Sequence, residues 1–299
     1  MGSSKWSAED LPDLTGRTVV VTGANSGIGR AAAAELARAG ARVVLAVRDT
    51  AKGGEAAAAM PGTTEVRHLD LADLASVHEF ADGWDGDLDI LINNAGVMAV
   101  PEQRTRDGFE MQIGTNHLGP FALTNLLLPR ITDRVTTVAS GAHRMGSIRL
   151  DDLNWENGGY NRWRAYGQSK LANLLFTLEL QRRLSEVGSD VRATAAHPGW
   201  AATNLQSRTG SFIQNTAMAI VNRVYAQNEE MGALPTLYAA TQDIPGGSYV
   251  GPDGVGEQRG HPRLVGRSAA ARDEETAREL WELSERLTGV SFPLAPAAT

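Results

Sequence analysis

Near the start of the chain stands the segment Thr22-Gly23-Ala24-Asn25-Ser26-Gly27-Ile28-Gly29. A β-branched run at 17–22 leads into it, and an alanine-rich run from about 30 to 39, ended by Gly40, follows it. These runs predict a buried strand and a helix, and another apolar run at 41–47 predicts a second strand. Glycines let the backbone turn tightly and approach a pyrophosphate, while the helix N-terminus offers it free N–H groups. Strand, glycine loop, helix and strand in this order predict a dinucleotide site.

The same alternation of apolar runs and helix-compatible segments continues along the chain. Strands are predicted at 65–69, 89–92, 134–139, 190–196 and 248–250, helices at 74–84, 107–128, 162–187, 229–240 and 273–287, and a loop at the glycine- and proline-rich 251–266. Because strands that alternate with helices build parallel sheets, the pattern predicts an α/β fold. We expect a Rossmann-type doubly wound parallel sheet of about seven strands with helices on both faces, formed by residues 1–299 as a single domain.

The composition excludes several classes of protein. The chain has 299 residues, a net charge of -7 and no cysteine. A nucleic-acid partner is therefore not expected, and disulfides, zinc–thiolate sites and thiol chemistry are ruled out. The histidines lack metal-ligand spacing, so we expect no metal. No segment reaches the ~20 apolar residues of a spanning helix, and the N-terminus lacks a signal-peptide core, which together predict a cytoplasmic protein without a membrane span.

A second pattern with chemical meaning joins Tyr166 and Lys170, with Ser140 upstream. The first two are four residues apart on a predicted helix, so they share one face. An ammonium group beside a phenol lowers the pKa of the phenol from its usual value of about 10, which makes it a usable proton donor and acceptor near neutral pH. The alternative is a surface tyrosine and lysine on an ordinary amphipathic helix, and the rest of the chain must decide between the two.

The end of the second predicted strand bears on the choice of nucleotide. Val47 stands where an acidic residue would bind the ribose 2′-hydroxyl of NAD, and Arg48 follows it. A guanidinium pairs bidentately with a 2′-phosphate, so we expect NADP(H) rather than NAD(H), with Asn25 as a possible helper. The alternative is that Arg48 is solvated and that Asp49 binds the ribose.

Taken together, these motifs resemble the short-chain dehydrogenase/reductase family. The glycine loop has the spacing Thr-Gly-x-x-x-Gly-x-Gly instead of the usual Gly-x-Gly-x-x-Gly, and Asn-Asn-Ala-Gly at 93–96 follows the fourth predicted strand. In family order come Asp70, Asn116, Ser140, Tyr166, Lys170, Pro198-Gly199 and Thr203, and the resemblance extends from Leu14 to about Gly251. Within the family, the sequence is similar to the subgroup of retinol dehydrogenases, WW-domain oxidoreductases and protochlorophyllide reductases. The similarity lies in four runs: Val47-Arg48-Asp49, Asn116 to Gly119, Ser140 to His143 and Ser169 to Asn173.

The resemblance implies reversible hydride transfer between NADP(H) and a small-molecule alcohol or carbonyl substrate. It implies that Tyr166 is the proton donor, that Ser140 polarises the substrate oxygen, that Lys170 grips the nicotinamide ribose, and that Asn116 supports a proton relay through water. These four are the candidate catalytic residues. The implied cofactor-binding residues are Gly23, Asn25, Ser26, Gly27, Ile28, Gly29, Arg48, Asp70, Leu71, Asn94, Ala95, Gly96, Tyr166, Lys170, Pro198, Gly199 and Thr203.

Three further expectations concern the periphery. The segment at about 200–228 contains an apolar stretch that is either a substrate lid or a helix packed on the core, and it favours an apolar substrate. The C-terminal tail at about 288–299 is expected to be flexible. The family resemblance suggests a possible homodimer or homotetramer, formed through the helices that carry Asn116 and Tyr166.

Other functions fit less well. A catalytically silent NADP-binding sensor would share the glycine loop, and it stays open as an alternative although the full catalytic set argues against it. A sugar-nucleotide epimerase would show Thr-Gly-x-x-Gly-x-x-Gly and a larger C-terminal substrate domain. A serine hydrolase would need Gly-x-Ser-x-Gly, whereas Ser140 lies in Ala139-Ser140-Gly141.

Overall fold

The computed structural model describes residues 5–199 and 229–295. The strands of its sheet are β1 (Thr18–Thr22), β2 (Arg42–Val47), β3 (Thr63–His68), β4 (Leu88–Asn93), β5 (Ile131–Val138), β6 (Arg192–Ala196), β7 (Tyr249–Pro252) and β8 (Pro262–Leu264). The helices that matter here are α1 (Gly27–Arg38), α2 (Thr50–Ala58), α3 (Leu74–Asp82), α4 (Met111–Ile113), α5 (Gly119–Leu127), α6 (Arg162–Glu186), α7 (Glu229–Thr241) and α8 (Glu274–Thr288). A π-helical turn at Gly114–Leu118 joins α4 to α5, and a 3₁₀ helix at Gly141–Met145 follows β5.

The described strands form one sheet in the order β3-β2-β1-β4-β5-β6-β7-β8. β1 to β7 run parallel, and β8 pairs antiparallel with β7. The strand order reverses between β1 and β4, and in doubly wound sheets ligands bind outside the carboxyl ends of the strands at such a point. The predicted Rossmann-type fold is confirmed. The sheet has eight strands instead of about seven because residues 262–264, predicted as loop, add a short antiparallel edge.

The apolar run of β1 is explained by burial on both faces. Val19, Val20 and Val21 are all fully buried. Val19 and Val21 belong to the core beneath α1, and Val20 belongs to the core on the opposite face, because side chains alternate along a strand. This two-sided burial is typical of a parallel sheet covered by helices and places the glycine loop at the carboxyl edge of the sheet centre.

The helix predicted at 107–128 is interrupted. It consists of α4, the π turn at Gly114–Leu118 and α5. Pro120 has no N–H group and cannot bond the carbonyl of Asn116 four residues earlier. At the turn, the N–H of Gly119 instead bonds the carbonyl of Gly114, five residues back. Wide turns of this kind are frequent at functional sites.

The C-terminal segment packs against the outer side of the helices behind the site. Trp281 of α8 is buried, with its ring 4.8 Å from that of Phe121 and 5.7 Å from that of Phe176. Beyond α8, Val290 is buried and Phe292 contacts Trp281. These apolar side chains cover the surface of α8, and the expectation that the tail at about 288–299 is flexible stays a prediction. The oligomeric state stays a prediction, and contacts through α5 and α6 would have to accommodate α8.

Three further expectations concern the lid, a membrane span and a metal site. The candidate lid at about 200–228, including Thr203, lies outside the described residues. Within the described ranges, no helix combines the length and apolar character needed to cross a membrane. Across the same residues, no group of three or more histidine, aspartate or glutamate side chains is placed to hold a metal ion.

Candidate active site

A cleft of about 750 Å³ runs along the carboxyl ends of the parallel strands, from the glycine loop to Tyr166. Every predicted cofactor-binding residue in the described part of the chain lines it, as do Ser140 and Lys170. Asn116 does not line it and lies buried behind the wall. The cleft therefore brings together motifs that are far apart in the sequence, and it has the size of a nucleotide-binding site.

The glycine loop is built to accept an anion. Ser26 precedes α1 without bonding its N–H groups, and the first turn of α1 carries no acidic side chain. Those N–H groups and the positive end of the helix dipole are therefore left for a ligand. A Cβ atom on Gly29 would lie 2.3 Å from Nδ2 of Asn94, so only glycine permits this approach. The loop fits the pyrophosphate of a dinucleotide.

Thr22 joins the glycine loop to the end of β4. Its Oγ1 accepts hydrogen bonds from the N–H groups of Asn94 at 3.0 Å and Ala95 at 2.9 Å. In return, Nδ2 of Asn94 donates to the carbonyl of Thr22 at 2.8 Å. The Asn-Asn-Ala-Gly motif thus ties two neighbouring strands together at the floor of the cleft.

After β2, Arg48 and Asp49 differ in whether their side chains have partners. Arg48 is exposed and forms no ion pair with any described residue. Asp49 accepts a hydrogen bond from the N–H of Lys52 at 3.1 Å and pairs with its Nζ at 3.2 Å. Asp49 thereby caps α2, and the backbone hydrogen bond from Lys52 is the main cause that lowers its pKa. Helix α2 was not predicted from the sequence, although Asp49 before an alanine-rich run is a signal for it.

At the end of β3, two aspartates have different roles. Asp73 caps α3 by accepting a hydrogen bond from the N–H of Ala75 at 3.1 Å. Asp70 lines the cleft, and its Oδ1 accepts from the N–H of Ala72 at 3.0 Å. Asp70 is therefore held at the cleft by its own turn and is not the cap of α3.

Tyr166 is buried at the far end of the cleft and is hydrogen-bonded to Ser140. Burial raises the pKa of Tyr166, and the hydrogen bond to Ser140 opposes this rise. The expectation that Lys170 lowers the pKa of Tyr166 is therefore wrong for the protein without bound cofactor. Nζ of Lys170 is 5.8 Å from the centroid of the Tyr166 ring, and desolvation of the phenolate outweighs its attraction.

Lys170 lies one turn further along α6 and is buried. Its Nζ donates to the carbonyl of Val138 at 3.0 Å, and Nδ2 of Asn173 donates to the same oxygen at 3.1 Å. Burial lowers the pKa of Lys170 to about 8. Its amine is therefore close to the point at which it can gain or lose a proton near neutral pH.

Asn116 connects the loop after β4 to α6. Its Nδ2 donates to the carbonyl of Val97 and to Oγ of Ser169, both at 2.9 Å, and its Oδ1 accepts from the N–H of Val97 at 2.7 Å. Ser169 in turn donates to the carbonyl of Tyr166 at 2.8 Å. The side chain of Asn116 is thus fully committed to positioning these segments.

Several residues of the site were missed from the sequence. Trp163 precedes Tyr166 by one helical turn, and its ring packs edge-on at 6.5 Å. That spacing was a usable signal. Further lining residues are Met98, Arg144, Met145, Gly256, Glu257 and Gln258. The last three belong to the connection between β7 and β8, which nothing in the local sequence places at the cleft.

The cleft of this doubly wound sheet has an anion-binding loop at one end and a buried Ser–Tyr–Lys cluster at the other. This is the arrangement of a dinucleotide-dependent oxidoreductase. A family model described as short chain dehydrogenase matches residues 17–213. The chain belongs to the short-chain dehydrogenase/reductase family, and it is an NAD(P)-dependent oxidoreductase that acts on alcohol and carbonyl groups.

Individual relatives agree with this assignment. The chain is 44% identical to human retinol dehydrogenase 13 over 299 residues, which cover 94% of this chain and 87% of that protein. A crystal structure from Mycobacterium paratuberculosis is 56% identical, with a TM-score of 0.86 over 97% of this chain and 100% of that one. A structure from Beutenbergia cavernae, described as an NAD(P)-dependent gluconate 5-dehydrogenase with bound NADP, is 27% identical, with a TM-score of 0.57 over 77% of this chain and 91% of that one.

Proposed function

We propose that this chain transfers a hydride between NADP(H) and the alcohol or carbonyl carbon of an apolar substrate. The observation that carries the proposal is the hydrogen bond between Tyr166 and Ser140 at the end of a cleft whose other end is the glycine loop. The nicotinamide ring, when bound, supplies or accepts the hydride. The protein contributes position, polarisation and the proton.

Tyr166 is the proton donor in carbonyl reduction. Because burial raises the pKa of its hydroxyl, the phenol stays protonated at neutral pH and has a proton to give. Ser140, already hydrogen-bonded to Tyr166, holds the substrate oxygen beside that hydroxyl and stabilises the charge that develops on it. In alcohol oxidation the same pair works in reverse.

Lys170 and Asn116 return the proton from solvent. The pKa of Lys170, about 8, suits a group that must release and recover a proton near neutral pH. Since the side chain of Asn116 is occupied by Val97 and Ser169, its support for a water in this relay must come from the backbone. The π turn, in which Pro120 cannot bond the carbonyl of Asn116, is consistent with this role.

NADP(H) is the preferred nucleotide in this proposal. Arg48 is exposed at the end of β2 and forms no ion pair within the described residues, so its guanidinium can pair with a 2′-phosphate. The competing expectation, that Asp49 binds a ribose hydroxyl, is weakened because Asp49 caps α2 and pairs with Lys52. The structure from Beutenbergia cavernae with bound NADP adds support by analogy.

An apolar substrate is favoured by the side chains around Tyr166. Trp163 packs edge-on against Tyr166 at 6.5 Å, and Met98 and Met145 line the same cleft. The name of human retinol dehydrogenase 13 points to a similar substrate in that relative. We therefore propose a bulky, largely hydrocarbon aldehyde, ketone or alcohol.

The proposal is tested by measuring NADPH oxidation with aldehydes, ketones, quinones and steroids for the wild type and for Tyr166→Phe. The variant should bind NADPH like the wild type and lose turnover, because only the hydroxyl is removed. Tyr238→Phe, which removes a hydroxyl on α7 away from the cleft, is the matched control and should retain full activity. Full activity in Tyr166→Phe would refute the proton assignment. Tight NADPH binding by the wild type without turnover on any substrate would favour the silent sensor.

A further inference from the structure

Glu257 has an unusual backbone conformation at the edge of the cleft. Its φ is +58°, and among the described residues only Ala99 and Trp155 are other non-glycine residues with positive φ. A side chain with a Cβ atom is disfavoured in this left-handed region, and such strain persists where the surroundings require it, often at functional sites. Glu257 belongs to the tip of the hairpin between β7 and β8, which the sequence analysis predicted only as a loop.

The carboxylate of Glu257 determines the state of a buried histidine. Oε2 of Glu257 lies 3.2 Å from Nε2 of His197, and Nδ1 of His197 accepts a hydrogen bond from the N–H of Gly199 at 3.2 Å. Burial lowers the pKa of His197 to about 4, so the ring is neutral and carries one proton. Because Nδ1 is an acceptor, that proton is on Nε2 and is donated to Glu257.

The surroundings pack closely on the ring of His197. Its centroid lies 5.1 Å from that of Tyr249, and a Cβ atom on Gly251 would be 2.1 Å from its Nε2. The hairpin tip also touches the turn after β6 directly, since a Cβ atom on Gly199 would lie 2.4 Å from the carbonyl oxygen of Gln258. Tip, histidine and turn therefore form one packed unit at the wall of the cleft.

We propose that Glu257 is a positioning residue that, through His197, holds the Pro198–Gly199 turn in the conformation required by the nicotinamide half of the cofactor. This inference rests on the proposed function and on the family resemblance, which implies that Pro198 and Gly199 bind the cofactor. The turn lies towards the catalytic end of the cleft, because Glu257 also pairs with Arg144 of the 3₁₀ helix that follows Ser140. The carboxylate of Glu257 accepts the hydrogen bond from Nε2–H, which keeps Nδ1 unprotonated and able to accept from the N–H of Gly199. Loss of the carboxylate would let the ring change tautomer and release the turn. The ion pair of Glu257 with Arg144, at 3.7 Å, offers a competing explanation in which the carboxylate only anchors the hairpin.

The test compares Glu257→Gly with Glu257→Gln. Glycine suits the positive φ and removes the acceptor, whereas glutamine keeps an oxygen that accepts from Nε2 of His197 but loses the charge that attracts Arg144. NADPH binding, the KM for NADPH and the kcat are measured, together with binding of 2′,5′-ADP, which contains only the adenine half. Val255→Gly, at a 97% exposed position of the same tip, controls for added backbone freedom.

We expect Glu257→Gly to raise the KM for NADPH about 5- to 10-fold while leaving the binding of 2′,5′-ADP unchanged. The melting temperature should fall slightly, because the buried Nε2–H of His197 loses its acceptor. Glu257→Gln should recover most of the affinity, and Val255→Gly should behave like the wild type. Should Glu257→Gly not fold, Glu257→Met, of similar length but without an acceptor, replaces it in the comparison with glutamine.

Each contrary outcome has a distinct meaning. The inference would be overturned if the KM for NADPH were unchanged in the variant without an acceptor. It would also be overturned if the glutamine and glycine variants lost NADPH affinity equally, or if binding of 2′,5′-ADP weakened as much as binding of NADPH. A wild type that neither binds nor oxidises NADPH would instead overturn the proposed function.

Discussion

The exposed guanidinium at the end of β2 provides a sharp test of cofactor preference. In Arg48→Met the side chain keeps most of its length and loses its charge. Asp49 remains bound to Lys52 and α2, so the variant gains no new carboxylate for a ribose hydroxyl. We therefore expect a loss with NADPH and no gain with NADH.

The size of the loss follows from the exposure of the group. A hydrogen bond to a charged partner contributes about 1.5 to 3 kcal/mol, and exposure to water favours the lower part of this range. A loss of about 1.5 to 2 kcal/mol corresponds to a roughly 10- to 30-fold decrease in kcat/KM for NADPH. The value for NADH should change by less than about 2-fold, since no 2′-phosphate is present.

The assay measures kcat/KM for both nucleotides with the best carbonyl substrate from the screen. The control is Arg38→Met, which removes the same charge from the C-terminal end of α1, away from the cleft. It should leave both values unchanged. An equal loss for NADPH and NADH would show that Arg48 supports the fold of the site and does not recognise the phosphate. A wild type that prefers NADH would refute the reasoning altogether.

Three further predictions concern the catalytic end and the core. In Gly96→Ala, the added Cβ would lie 2.9 Å from Oδ1 of Asn116 and 3.5 Å from Nζ of Lys170, so kcat should fall at least about 10-fold with little change in melting temperature. Steady-state kinetics with NADPH would check this, and an unchanged kcat would contradict it. In Lys170→Met, activity should be lost, and at pH 7 the variant should be more stable than the wild type. The folded-state pKa of Lys170 is about 8 against 10.5 for an unperturbed lysine, so the unfolded chain binds more protons between these values. Wild-type stability relative to the variant should therefore rise by about 3 kcal/mol from pH 7 to 11, as urea unfolding would show, and a constant difference would disprove it. Trp281→Ala should destabilise the protein by about 3 to 5 kcal/mol, because it leaves a cavity beside Phe121, and a loss below about 1 kcal/mol in the same experiment would show that α8 contributes little.

The fold and the floor of the cleft were predictable because their signals are local. A strand, a glycine loop and a helix follow one another within 17–39, and each obeys its own rule of burial, turn geometry or capping. Tyr166 and Lys170 are likewise one helical turn apart, so their common face follows from helix geometry. The position of Ser140 near the glycine loop was predictable because parallel strands end at the same edge of the sheet.

Features that depend on distant contacts were not predictable. β8 is three residues long and exists because Gly251 and Arg263 lie opposite each other in a hairpin. The bond between His197 and Glu257 joins positions far apart in the sequence, and neither neighbourhood hints at it. The pKa of Tyr166 also moved opposite to expectation, because burial is a property of the assembled fold and spacing along a helix does not reveal it.

The packing of α8 bears on how the protein matures during synthesis. Trp281, which stacks on Phe176 behind the catalytic helix, leaves the ribosome long after Tyr166 and Lys170 have been made. Domains generally fold as cooperative units, so the layer behind α6 cannot complete its core until α8 is available. The helix that carries Tyr166 therefore gains its outer support only when nearly the whole chain has been made. Cofactor binding and catalysis should consequently appear together in nascent chains, once Trp281 has emerged.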